Sequence, residues 1–106
     1  MLVNWTEPAL DALDAIDEFI SRDAPIYAQH FIEQLVTAVD RLIEFPLSGR
    51  VVPEAGRDDI REVIVQHYRI IYWMPDDNRI DIIGVVHGSR DLGNPGNQPW
   101  GTAGQV

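Results

Sequence analysis

The chain has 106 residues, 17 acidic and 8 basic, for a net charge of −9, and it contains no cysteine. That length suits one domain able to bury a core unaided, and the missing thiols exclude disulfide frameworks, thiolate metal sites and cysteine nucleophiles. Every basic residue is arginine, which removes lysine-dependent chemistry such as a Walker phosphate loop or a Schiff base, while the acidic balance opposes generic nucleic-acid binding.

The opening MLVNWTEPA lacks a basic region followed by an apolar run, and no apolar stretch approaches the ~20 residues that cross a bilayer, so a cytoplasmic protein is expected. Leu2 to Trp5 suits a short strand. Thr6 is placed to cap a helix over residues 7 to 21, with Pro8 in its first turn. Leu10, Leu13, Ile16, Phe19 and Ile20 form the apolar stripe of that helix, and Asp11, Asp14, Asp17 and Glu18 fill its other side. Asp23 then stands as the cap of a second helix, with Pro25 in its first turn and a stripe of Ala28, Phe31, Ile32, Leu35, Val39, Leu42 and Ile43. The short link makes the two a helical hairpin. Pro46 to Gly56 is rich in proline and glycine and is expected to be a loop.

The period then changes. Ile60 to Val65 and Tyr68 to Met74 are β-branched and aromatic runs separated by Gln66 and His67, which predicts a tight hairpin. Pro75 to Asn78 is the next turn, and Arg79 to His87 the third strand of a meander. Strict alternation puts Ile60, Ile64, Ile71, Trp73, Ile80 and Ile82 on one face and Val63, Val65, Tyr68, Ile70, Tyr72, Ile83 and Val85 on the other. Both faces are apolar, so the face not covered by the helices requires extra chain or a partner. Residues 93 to 106 are uncharged and rich in Gly, Pro, Asn and Gln, the composition of a flexible tail. The expected class is α+β: a short N-terminal strand and a helical hairpin packed on a C-terminal antiparallel meander, over residues 1–92.

Charge divides unevenly. Residues 1 to 49 hold nine acids against two arginines, and residues 50 to 92 hold eight acids against six arginines. The arginines therefore belong to the second half.

The order of these elements, with WTEPALDALDAIDEFI, FPLSGRVVPE, IREVIVQHYRIIYW and VVHGSRDL, resembles the RelE/ParE superfamily of bacterial type II toxins over residues 2 to 92. The pieces GR, YRI-x-Y and VxHGxRD are closest to its ParE branch. The resemblance implies a toxin neutralised by a ParD-like antitoxin, a ribbon-helix-helix protein with an amphipathic C-terminal segment, in a hetero-oligomer. It also implies one of two activities: DNA gyrase as target for ParE-like members, or ribosome-dependent cleavage of messenger RNA for RelE-like members. A homologue that keeps only antitoxin binding is the third alternative.

Metal-free RNA cleavage needs a base, cations on the phosphate and an acid for the leaving oxygen. Arg69 and Arg90 match arginines that contact the scissile phosphate in the ribonuclease relatives, and His87 would join them. The relatives' lysines have no counterpart around Arg61, Glu62 and Val63, and no tyrosine follows Arg90. The chain is therefore expected to act as a ParE-like protein without catalytic residues, cofactor, direct nucleic-acid contact or membrane contact.

Each of these groups also has a structural reading. His87 can close the turn after its strand. Arg90 can pair with Asp81 or Asp91, and one of Arg61 and Arg69, foremost Arg69, can form a half-buried ion pair with Glu62. His30, His67 and His87 show no ligand spacing, so no metal site is expected. Arg90 and Trp100 are the candidates for target binding, because Arg and Trp often dominate interfaces. Leu10, Leu13, Phe31, Leu35, Tyr72 and Trp73 are the candidates for antitoxin binding.

Overall fold

The computed structural model describes residues 1–101. Strand β1 (Leu2–Trp5) leads into helix α1 (Glu7–Ser21) and helix α2 (Pro25–Glu44). Strands β2 (Arg50–Val51), β3 (Ile60–Val65), β4 (Tyr68–Asp76) and β5 (Arg79–His87) follow, and a 3₁₀ turn spans Pro95–Asn97. One five-stranded sheet results, in the order β1-β5-β4-β3-β2. β1 lies parallel to β5 and the other pairs are antiparallel. This is the expected α+β architecture.

Local chemistry sets the helix ends with two departures from expectation. Thr6 occupies the N-cap position, but its hydroxyl donates to the Ile82 carbonyl at 2.6 Å instead of closing the helix. The start of α1 is thereby tied to β5. α2 is capped by Ala24, not Asp23, with Pro25 opening the first turn. Proline tolerates that place because its missing N–H would have no partner there. The loop after α2 contains the two-residue β2, which pairs Arg50 with Glu62 and Val51 with Arg61. Strand β4 also runs on to Asp76, leaving a shorter turn before β5 than the sequence predicts.

The helices close one face of the sheet. Phe31, Leu35, Val39 and Leu42 of α2 and Ala9 and Ile16 of α1 pack with Ile70, Tyr72, Ile80, Ile82 and Val85. Each large buried side chain in such a core is worth roughly 1.5–3 kcal/mol relative to exposure.

Strict alternation fails on β5. Tyr72 is paired with Ile82 and Ile71 with Gly84, so Ile83 is the extra residue of a bulge. A bulge changes which way the following side chains point. Ile80 and Ile82 therefore belong to the helical face, and Ile83 packs on the opposite one.

The opposite face is covered by the chain itself. Val52, Ile60, Ile71, Leu92 and Trp100 form a second small core, joined by Ala55, Trp73, Ile83 and Val86. Trp100 is only 7% exposed. Pro99 lies over Gly84, where an added Cβ would come within 2.8 Å of the proline ring. Asn97 donates to the Asp91 carbonyl and Gln98 to that of Leu92. The segment through Gly101, expected as tail, thus supplies part of the cover; residues 102–106 of that tail lie outside the described residues.

Candidate functional site

On the tail side of the sheet β3 and β4 bring four charged residues together. Glu62 and Arg69 arise from the alternation of IREV against YRI, which points both inward between the apolar Ile60 and Ile71. The Glu62 side chain is fully buried and accepts from Arg50 Nε at 2.6 Å and from Arg69 Nε. Arg69 turns the rest of its guanidinium to Glu54, donating through Nη1 at 2.9 Å and Nη2 at 2.7 Å. This fork-to-fork pair holds the Glu54 carboxyl well below the usual range, from 4.5 to about 2, against the opposing effect of burial. The same contacts raise the affinity of Arg69 for its proton. Burying these charges is tolerable because each has a partner.

Arg69 is thus the structural ion pair anticipated with Glu62. Arg61 makes no such pair: it donates to the Asp58 and Gly49 carbonyls. Glu54 was missed in the sequence, since it sits in an irregular loop fifteen residues from Arg69, where no period relates the two.

At the end of β5 the picture is open. His87 is exposed, its ring stacked near His67 at 6.2 Å between centroids and edge-on to Tyr68 at 5.2 Å. Its Nδ1 accepts from the Ser89 amide at 3.1 Å and lies 2.7 Å from the Ser89 hydroxyl. That is the turn-closing role. Arg90 pairs with neither Asp81 nor Asp91; it is exposed and donates to Asn97 Oδ1 at 3.2 Å. Asp81 is instead paired with Arg79. His87 and Arg69 border one depression, but Arg69 is committed to two carboxylates there. No group of three or more potential metal ligands occurs among the described residues.

The candidates for partner binding divide by exposure. Phe31, Leu35 and Tyr72 are core residues. Tyr72 donates its hydroxyl to the Pro46 carbonyl at 2.7 Å and accepts from the Gly49 amide at 3.1 Å, bracing the loop after α2. A Cβ at Gly49 would lie 2.4 Å from that oxygen, so glycine is required. Leu13 is half-buried against the helical core, and Trp73 is half-buried with its indole N–H on Asp59. Trp100 sits in the second core. Of the eight residues named for binding, Leu10 and Arg90 are exposed. Exposed apolar side chains that stripe reasoning assigned inward, Phe19 at 67%, or passed over, Ile26 at 73%, stand beside Leu10 as helical surface.

The model of the ParE toxin of the type II toxin-antitoxin system parDE matches residues 3–92. "Toxin RelE2" of Caulobacter vibrioides is 33% identical over 88 residues, which covers 83% of this chain and 96% of the relative. "Putative toxin Y4kP" of Sinorhizobium fredii is 36% identical over 91 residues, covering 83% and 88%. A solved structure titled "Chromosomal ParDE TA system from P. aeruginosa" is similar in fold, with a TM-score of 0.69 at 20% identity, over 82% of this chain and 95% of that one.

Proposed function

The chain belongs to the ParE toxin family of type II toxin-antitoxin systems, and from that premise we propose that its target is DNA gyrase, with a ParD-like antitoxin as its neutralising partner. The observation that carries the choice of target is the state of Arg69. A ribonuclease needs cations free to meet the phosphate as charge develops on it. Here both terminal nitrogens of Arg69 are bound to Glu54 and its Nε to Glu62. Releasing it would uncover two carboxylates beside a polyanionic substrate.

The absence of lysine and of a tyrosine after Arg90 supports the same reading, as does the net charge of −9, which opposes docking on ribosomal RNA. Arg90, exposed at the end of β5, is the proposed contact with gyrase. The exposed apolar side chains of the helices, Leu10 and Phe19 among them, are proposed to receive the amphipathic segment of the antitoxin.

The deciding experiment compares gyrase supercoiling and message integrity on translating ribosomes in the presence of purified protein. Inhibition of supercoiling with intact message is the expected result. Codon-dependent cleavage abolished by Arg69→Ala would move the chain to the ribonuclease branch. Antitoxin binding without either activity would identify a homologue that has lost its target.

A further inference from the structure

We propose that the hollow bounded by the C-terminal end of α2, the loop after it and β3 binds a small organic anion: a phosphate or carboxylate head on a flat apolar body. It is a ligand site of its own, whatever protein the chain targets.

The hollow encloses about 390 Å³, which lies within the range of small-molecule sites. Its walls differ in character. Ala38, Phe45, Val63 and Ile64 form an apolar side, and Arg41, Ser48 and Arg50 a polar one. Phe45 is 61% exposed and Ile64 54%, so both present apolar area that the body of a ligand can cover.

The polar side is cationic in a chain whose net charge is −9. Glu62 is the carboxylate in the lining, and both its oxygens are engaged already, one by Arg50 Nε at 2.6 Å and the other by Arg69. Arg50 spends only that Nε: among the described residues its terminal nitrogens have no hydrogen-bond partner, and its side chain is 58% exposed. Arg41 is exposed, and its guanidinium has no hydrogen-bond or ion-pair partner among those residues; the Ser48 hydroxyl has none either. The other arginines are matched: Arg22, Arg57, Arg69 and Arg79 to carboxylates, Arg61 to carbonyls and Arg90 to Asn97. Unused guanidinium donors therefore concentrate in this one hollow. Their planar fork fits the oxygens of a carboxylate or phosphate, and the hydroxyl adds another donor.

The loop that carries Ser48 and Arg50 is fixed beforehand. Tyr72 donates to the Pro46 carbonyl and accepts from the Gly49 amide, and Arg61 donates to the Gly49 carbonyl at 3.0 Å. A preformed site spares the ligand the cost of ordering it. The same charges select for small size. Screening confines their reach to ~10 Å at 0.1 M salt, so a small anion meets two arginines, whereas a polynucleotide would lay its further phosphates on an acidic surface.

The test is titration of the full chain with phenyl phosphate, benzoate and inorganic phosphate, followed by calorimetry and by amide chemical shifts. Phenyl phosphate or benzoate should saturate, moving the Ala38, Ser48 and Ile64 amides, and the tighter of the two identifies the head group. Inorganic phosphate should bind about tenfold more weakly, because it leaves Phe45 and Ile64 uncovered. Arg41→Gln should weaken binding by about tenfold or more at unchanged melting temperature, and Arg22→Gln should leave it as it was. If neither organic anion saturates, or if Arg41→Gln binds as wild type does, the site is overturned. If inorganic phosphate binds as tightly as phenyl phosphate, the apolar half of the assignment is overturned.

Discussion

On one face of the sheet two helices lay down an apolar core through Phe31, Leu35 and Val39, whereas on the other an irregular loop, the segment through Trp100 and the cluster of Arg50, Glu54, Glu62 and Arg69 do the covering. The helical face is held by dispersion and the hydrophobic effect, which are nondirectional and tolerate exchange of one aliphatic side chain for another. The tail face depends on directed contacts between unlike groups, so its members are replaceable only together. The proposed function rests on the same difference: Arg69 neutralises buried carboxylates, whereas Arg90, in the turn after β5, is exposed.

The largest expected effect breaks the ionic side. Glu62→Ala leaves Arg69 and Arg50 short of a fully buried partner, and should cost about 3–5 kcal/mol in urea unfolding. The double change Glu62→Leu with Arg69→Met should recover most of that, since Arg50 and Glu54 can be hydrated. Failure to recover would mean that the pair contributes more than mutual compensation.

Removing the cover comes next. Trp100→Ala should cost about 3 kcal/mol, within the range expected of Leu35→Ala on the helical face, and thermal unfolding followed by tryptophan fluorescence would measure both. Truncation after Leu92, harmless for an idle tail, should be at least as damaging because Pro99 leaves with Trp100. A truncated chain of unchanged stability would show that the second core stands without its cover. Gly84→Ala probes the same contact more gently, pushing a Cβ toward Pro99, at about 1–3 kcal/mol.

The acid side of the comparison is a pH dependence. The Glu54 carboxyl is lower in the folded chain, at about 2, than its ordinary 4.5, so its contribution is present above about 4.5 and is lost as pH falls through about 2. Equilibrium unfolding of wild type between those values should therefore decline more steeply than that of Glu54→Gln. Parallel curves would remove Glu54 from the account. The smallest stability effect belongs to Arg90→Ala, within about 0.5 kcal/mol, because its side chain is exposed and its hydrogen bond to Asn97 lies in solvent. Inhibition of supercoiling should nonetheless fall. Unfolding by this substitution, or full toxicity without it, would return Arg90 to a purely structural role.

The amino-acid sequence by itself determined the helices, the two-residue hairpin turn and the span of β1, because those features depend on period, proline and turn chemistry within a few residues of one another, while the pairing of β1 with β5 does not. It also carried half of the ion cluster, since Glu62 and Arg69 announce themselves as charges inside alternating apolar strands. What only the tertiary structure decided has a common cause in long sequence separation without a period. The bulge at Ile83 sends Ile80 and Ile82 to the helical face because β4 and β5 slip by one residue against each other, and neither strand records the slip alone. Glu54 reaches Arg69, and Pro99 reaches Gly84, through loops whose course is set by the packing they complete. Whether an arginine or a tryptophan faces solvent depends on that packing, and so of Arg90 and Trp100, alike as sequence candidates, the first is exposed and the second buried.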